Sequence, residues 1–416
     1  MKRRWWRMGW VVGLGLWSVL VAGCGGCGIE ESPGTLKVGD ADRQGLMPLE
    51  EEGRDRVRQG SLALSFEIFD GVRQESDADV VMSPQAVLMG ISQLIPATEG
   101  QSSAAVAELW GVEEDELEMV MAVLNQQGVH LERQSGADLR FDHRNDLWVD
   151  EKSEPDEGYL ELLRRYTGRG VHVVDEESDI NHWVGRVMGD GELEVIGDWE
   201  EGTAALTQAV HISGVWRYGF ESTGSSGGPM ESADAEHRWP MMEGRESYRF
   251  YRDSTTQAVA FGYQGANTSL VAMKPRSATM SIEEWGEGFD GERFQSIVEG
   301  LSRLEDGEVD LPEFDLRQQH QLGGVMEELA VEVFGDEADL SGFGERSPER
   351  VATVGHVASL EVGERGGRQS AEHVEEAGRR GEAIAFDRPF YFAVYDEGAE
   401  AILLLGRLKT GFEYPE

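Results

Sequence analysis

Cysteine is nearly absent: the 416 residues contain two, Cys24 and Cys27, both close to the amino terminus. No disulfide can therefore staple the long chain that follows, and its fold must be held by a core. Their CxxC spacing formally allows a redox or metal pair, but no flanking element would position one. Basic residues are also scarce, 37 Lys and Arg against 79 Asp and Glu. A net charge of -42 opposes binding to the polyanionic backbone of nucleic acids and leaves a solubilising acidic surface, or steering of cationic proteins, as its use. The nine histidines form no HExxH and no other pair at metal-ligand helix spacing, which disfavours a zinc hydrolase. GSSGG at 224–228 fits the GxSxG pattern only in letters, since it lies in FESTGSSGGPMESA, a loop composition and not a strand-to-helix turn. The glycines of GDGELEVIG, 189–197, lack a following amphipathic helix that could hold phosphate and read as turns. No internal repeat is found. The expectation is a protein that is not an enzyme and needs no cofactor.

What is present is a globular composition, 40% hydrophobic, enough for one very large domain or two ordinary ones. The start, MKRRWWRMGWVVGLGLWSVLVAGC, carries four basic residues ahead of an apolar run that closes on small residues, the pattern of a secretion signal. The run is short for a spanning helix of about 20 residues. LVAGC at 20–24 resembles the lipobox of bacterial lipoproteins, which implies a lipidated Cys24 as first mature residue. Gly25 after it implies an outer-membrane lipoprotein, periplasmic or surface-exposed. The expected division is a signal peptide over 1–23, a flexible polar tether over 24–53 and one domain over 54–416.

Within the domain, the segment from Arg54 reads as a buried helix, and VVMSP at 80–84 as a short strand with Pro84 opening the next helix. SSAAVAELWGV predicts a helix capped by Ser102 or Ser103 and closed by Gly111. DLWVDE is a strand, YLELLRRYTG and DINHWVGRVM are helices, and ALTQAVHISGVW at 205–216 is the longest core-strand candidate. SYRFYRD, TQAVAFGYQ and TSLVAMKP alternate like an antiparallel meander. A helix around GERFQSIVEGL, a strand EVDLPEF, a helix in QLGGVMEELAVEVF and the strands FYFAVYDE and EAILLLGRL complete an α+β pattern with large antiparallel sheets.

IAFDRPFYFAV at 384–394 resembles the carboxy-terminal signature of the serpin family, and ILLLGRL at 402–408 resembles the strand that follows it. VVMSPQAVLMGISQLIPATEGQSSAAVAELWGV, NDLWVDE, TQAVHISGVWRYGF, WPMM, EVDLPEFDL and DEADLSGFG follow in family order, so the resemblance spans residue 54 to the end. It implies three β-sheets wrapped by eight or nine helices, with an exposed reactive-centre loop. It also implies a mechanism: a serine protease cuts the loop, forms an acyl-enzyme, and is trapped as the loop enters the main sheet as a new strand. By the same resemblance Trp216 marks the top of that sheet, the breach. Ser83, Gln208 and His356 form the cluster that locks its middle, with Gln208 and Ala86 where the family usually has asparagine and serine and with Gln208 expected to hydrogen-bond His356.

EVGERGGRQSAEHVEEAGRRGEA, from residue 361, aligns with the family hinge, Gly366 fixing the register after Glu364. The scissile bond then falls between Arg380 and Gly381, with cleavage after Arg379 or Gly378 left open. An arginine there suits a trypsin-like protease whose pocket holds a carboxylate. On insertion Gly367, Gln369, Ala371, His373, Glu375 and Ala377 would face inward, and Arg368, Ser370, Glu372, Val374 and Glu376 outward. Small residues are usual in the family hinge, and burying Gln369 without partners costs about 1–3 kcal/mol. Two functions follow: a monomeric, membrane-anchored inhibitor of trypsin-like serine proteases, or a serpin-fold binding or structural protein that is merely cleaved.

Overall fold

The computed structural model describes residues 34–46, 48–197, 199–222, 240–301, 303–365 and 382–410. In chain order these form β1 (Thr35–Lys37), α1 (Glu51–Gln74), β2 (Val80–Met82), α2 (Pro84–Ile91), α3 (Gly100–Trp110), α4 (Leu117–Gln134), β3 (Leu139–Val149), α5 (Glu157–Thr167), β4 (Val171–Val173), α6 (Glu177–Met188) and β5 (Ala204–Gly214). There follow β6 (Glu221–Ser222), β7 (Met241–Arg252), β8 (Thr256–Gly262), β9 (Thr268–Pro275), α7 (Ile282–Gly286), α8 (Gly291–Gly300), β10 (Leu304–Pro312) and β11 (Phe314–Gln321). The chain closes with α9 (Gly323–Leu329), α10 (Val331–Phe334), β12 (Val351–Val362), β13 (Glu382–Ala385), β14 (Phe390–Asp396) and β15 (Ala401–Leu408).

Six strands build the main sheet in the order β1-β4-β3-β5-β12-β11. The others join in one ladder, β13-β10-β7-β8-β9-β14-β15-β2, with β6 on β7. The two further sheets expected from the sequence are thus continuous through β7, which pairs with β10 along Met241–Arg249 and with β8 from Arg249 onward. Residues of β5 alternate as a strand buried on both faces must. Ala205 and Ala209 lie with Trp183 and Val184 of α6 on the outer face, while Val210 and Ile212 face the apolar layer between the sheets.

Helix α2 lies in that layer with almost every residue buried. Ser83 caps it by accepting the amide of Ala86, and Pro84 opens it, as read from VVMSP. Helix α3 begins at Gly100 after Glu99, not at a serine cap. Ser102 sits inside the helix instead, accepting the amide of Asp339 at 2.8 Å and donating to the carbonyl of Glu332. Gly111 closes the helix at φ +62°, a left-handed cap that glycine adopts without strain.

The described part of the segment expected to be a tether is packed onto the domain. Thr35–Lys37 add antiparallel to β4 at the edge of the main sheet, and α1 already starts at Glu51. Arg43 anchors the stretch between them, bonding Asn125 Oδ1 at 2.9 Å and both carboxylate oxygens of Glu132. The run is polar because it lies on the surface, and it is ordered because its polar groups find partners on α4.

Candidate functional site

The centre of the main sheet is a parallel joint. β5 and β12 pair directly from Ala204 opposite Val351 to Ile212 opposite Leu360. Both strands point the same way, and the chain leaves the end of β12 toward residues 366–381. The departure is held by three hydrogen bonds. Trp216 donates its indole N–H to the Gly363 carbonyl at 2.6 Å and its backbone N–H to Arg365 at 3.0 Å, and Phe220 donates its amide to Glu364 at 3.2 Å. Trp216 is itself fixed by stacking on Tyr263, centroids 4.6 Å apart at 19°. Gly214 allows this packing, since a Cβ there would stand 2.6 Å from the Tyr263 ring.

Below the breach, four polar side chains share one row across four strands: Asn145 opposite Gln208, Gln208 opposite His356 and His356 opposite His320. His356 Nε2 accepts the backbone N–H of Ser83 at 2.9 Å, so in the neutral ring Nδ1 carries the proton. That Nδ1 has no partner. Burial, with the nearby His320 adding to it, lowers the His356 pKa to about 3. Asn145 donates to the Ala86 carbonyl when its amide is oriented to satisfy both ends. The bond expected between Gln208 and His356 is not formed: Gln208 is fully buried, and neither its Nε2 nor its Oε1 has a partner. Its amide lies against the bare Cα of Gly90, where a Cβ would stand 2.6 Å from Nε2, so the extra methylene of glutamine is spent filling the space over α2.

The far anchor of the loop is β13, which pairs parallel with β10 through Gly307–Glu382 to Asp310–Ala385. Lys274, buried near the end of β9, donates to the Ala385 carbonyl, lies 3.5 Å from Asp387 Oδ1 and stands over the Phe386 ring. Desolvation lowers its pKa to about 8, only partly offset by Asp387. Arg388 donates to the Pro275 carbonyl at 2.7 Å and to Ser277 at 2.9 Å. FDRPF is thus the segment through which β13 and β14 are tied back to the end of β9.

The structure brings Glu364 and Trp216 together at the breach, and Ser83, Gln208 and His356 together beneath the joint. Gly366, Gly367, Arg368, Gln369, Ser370 and Ala371 of the hinge, the bond between Arg380 and Gly381, and Cys24 lie outside the described residues, as does GSSGG. Sequence reasoning missed Lys274 and His320. Lys274 was concealed in TSLVAMKP, where a charged residue in an otherwise apolar strand was the available signal.

The α+β fold thus has a principal sheet with a parallel strand pair at its centre, and a single connection leaves the top of that pair. The chain belongs to the serpin family: the family described as Serpin (serine protease inhibitor) matches residues 59–410. Serine protease inhibitor 42Dd of Drosophila melanogaster is 24% identical over 373 residues, covering 81% of this chain and 92% of that protein. Macrophage plasminogen activator inhibitor 2 of Mus musculus is 25% identical over 297 residues, 66% of this chain and 71% of that one. The crystal structure of mouse protein-Z dependent protease inhibitor superposes with a TM-score of 0.72 at 19% identity, over 86% of this chain and 99% of its own. At that identity the superposition speaks for the fold alone.

Proposed function

We propose that the protein is a lipid-anchored inhibitor of trypsin-like serine proteases at the bacterial cell envelope, acting by loop insertion and not as an enzyme. The observation that carries this is the direct pairing of β5 with β12 while the chain leaving β12 is pinned outward by Trp216. A sheet closed in this way can take a strand between β5 and β12, and the exchange is downhill because the one ladder between them is replaced by two, a net gain of one. Cleavage between Arg380 and Gly381 frees the end of residues 366–380, and the protease acylated on the Arg380 carbonyl is drawn along with it, while Gly381 stays with β13. Arg380 supplies a guanidinium for a carboxylate in the protease pocket, and the charge of -42 favours approach by a cationic protease. Lipidation at Cys24 would hold the domain at the outer membrane as a monomer needing no cofactor.

A second reading, a serpin fold that is only a substrate or binding module, is favoured by Gln369 and Glu375 at inward hinge positions, which slow insertion relative to deacylation. Titrating trypsin with the soluble domain separates the two. Stoichiometric, lasting loss of trypsin activity supports inhibition; undiminished activity with a fully cleaved domain contradicts it. Replacing Arg380→Ala removes the loss if the bond is placed correctly.

A further inference from the structure

A small cavity lies where the chain after α2, helix α4, strand β3 and the link from α5 to β4 meet. It leaves about 10 Å³ for the centre of a water-sized sphere, room for one water or one monatomic ion and for no organic molecule. Most of its polar lining is satisfied. Ser92 Oγ donates to the Met89 carbonyl at 2.8 Å, and Thr167 Oγ1 donates to the Leu163 carbonyl at 2.7 Å. Asn125 accepts from Arg43 at 2.9 Å and donates to the Gln44 carbonyl at 2.8 Å. Asn145 donates to the Ala86 and Arg144 carbonyls, and the Tyr166 hydroxyl donates to Glu118.

Two lining groups differ from these. Gln93 is fully buried, and neither end of its carboxamide has a partner. Arg169 is half-buried, and desolvation lowers the pKa of its guanidinium. The carboxylates that act on Arg169 do so only through space, because both are engaged elsewhere. Asp146 has His172 at 3.4 Å and Trp183 at 3.2 Å, and both oxygens of Glu132 accept from Arg43. Positive charge therefore gathers here in a chain whose net charge is -42. It is felt at His143, two residues from Asn145 on β3, whose pKa falls to about 3 through desolvation first and then through Arg169, Arg144 and Arg43.

The chemistry of the two groups defines their guest. A guanidinium can only donate hydrogen bonds, and a carboxamide donates through its nitrogen. The guest must accept from both, be one atom in size and carry negative charge. A water meets the first two conditions and leaves the charge uncompensated. We propose that Gln93 and Arg169 hold a chloride ion in this cavity. Bound there, the ion neutralises Arg169 and ties the chain after α2 to the link between α5 and β4, so the folded state is stabilised by chloride in proportion to its occupancy. The site is separate from the breach and from the reactive loop, and it stands whether or not the protein inhibits a protease.

The test is the melting temperature of the protein in sodium chloride and in sodium gluconate at equal ionic strength, gluconate being too large to enter. Chloride raises it by about 2 °C for each tenfold increase once the site is filling, and gluconate does not. Arg169→Met removes the difference between the two salts, and Gln93→Leu reduces it. Crystals grown in sodium bromide show an anomalous-scattering peak beside Gln93 and Arg169, bromide standing in for chloride. Equal melting temperatures in the two salts, or a chloride effect undiminished in Arg169→Met, overturn the proposal. A bromide map without that peak also overturns it and is the result expected of a water only. Should Arg169→Met fail to fold, the two salts and the bromide map on the wild type decide the matter.

Discussion

The indole N–H of Trp216 is bonded to the carbonyl of Gly363 at 2.6 Å, so the chain just after β12 is tied to the segment that follows β5. Together with the adjacent bonds from Trp216 N to Arg365 and from Phe220 N to Glu364, it sets where the chain must reverse if it is to enter the sheet.

Replacing Trp216→Phe keeps a ring to stack on Tyr263 and removes one donor. The Gly363 carbonyl is half-exposed and can turn to water, so the cost is that of an ordinary hydrogen bond, about 1 kcal/mol. Urea unfolding should show that loss, and hydrogen exchange should show faster exchange at the amides of Trp216 and Phe220. Unchanged protection at both would show that the indole does not hold the hinge.

Acid should weaken the closed sheet through His356. Its folded pKa, about 3, lies below the value near 6.5 of an exposed histidine, so between these limits the unfolded chain binds the proton and the folded one does not. Stability from this group is therefore complete above about pH 6.5 and is lost as pH falls toward 3, about 2 kcal/mol of it by pH 5. His143, buried and likewise held at about 3, first by desolvation and then by Arg169, Arg144 and Arg43, acts in the same direction. Comparing urea midpoints at pH 7 and pH 5 for the wild type and His356→Gln isolates the His356 share; equal losses in both would refute it.

Lys274 behaves oppositely in range though not in sign. Its folded pKa, about 8, is below the 10.5 of a free lysine, so the unfolded chain holds the proton longer as pH rises. The cost of the buried ammonium is full below pH 8 and fades between 8 and 10.5, so the wild type should gain about 2 kcal/mol on Lys274→Met from pH 7 to pH 9.5. The same variant loses the donor to Ala385, and the amides of β13 should exchange faster in it. A stability difference independent of pH would mean that the ammonium reaches water.

Residue types announced much of this architecture. Pro84 after VVMS and glycine at 111 and 168 after helical runs placed those elements as local signals with local causes, and the expected antiparallel meander of β7, β8 and β9 is present, though β9 is buried throughout and does not alternate. Elements whose side chains are satisfied at a distance were not legible. β11 reads as polar, FDLRQQHQ, because it is an edge strand whose inward Gln318 bonds the backbone of Asp79 and Val81 and whose His320 meets the Val81 carbonyl. β12 and α4 went unassigned by residue pattern: β12 is broken by glycine and histidine at the joint, and α4 by Asn125 and Gln127, whose amides are tied to the Gln44 and Ala399 carbonyls. Ser102 looked like a cap and serves α10 and Asp339 instead. At the site, the motif brought Ser83, Gln208 and His356 to one place, but only three dimensions show that Gln208 is left without a partner.

The most direct measurement of the central claim is denaturing electrophoresis of the soluble domain after incubation with a trypsin-like protease. Trapping by insertion predicts a covalent band that survives boiling in detergent, carries the protease joined to the chain through Arg380, and disappears in Arg380→Ala. Only the cleaved domain, with no such band at any ratio of protease to domain, would contradict it.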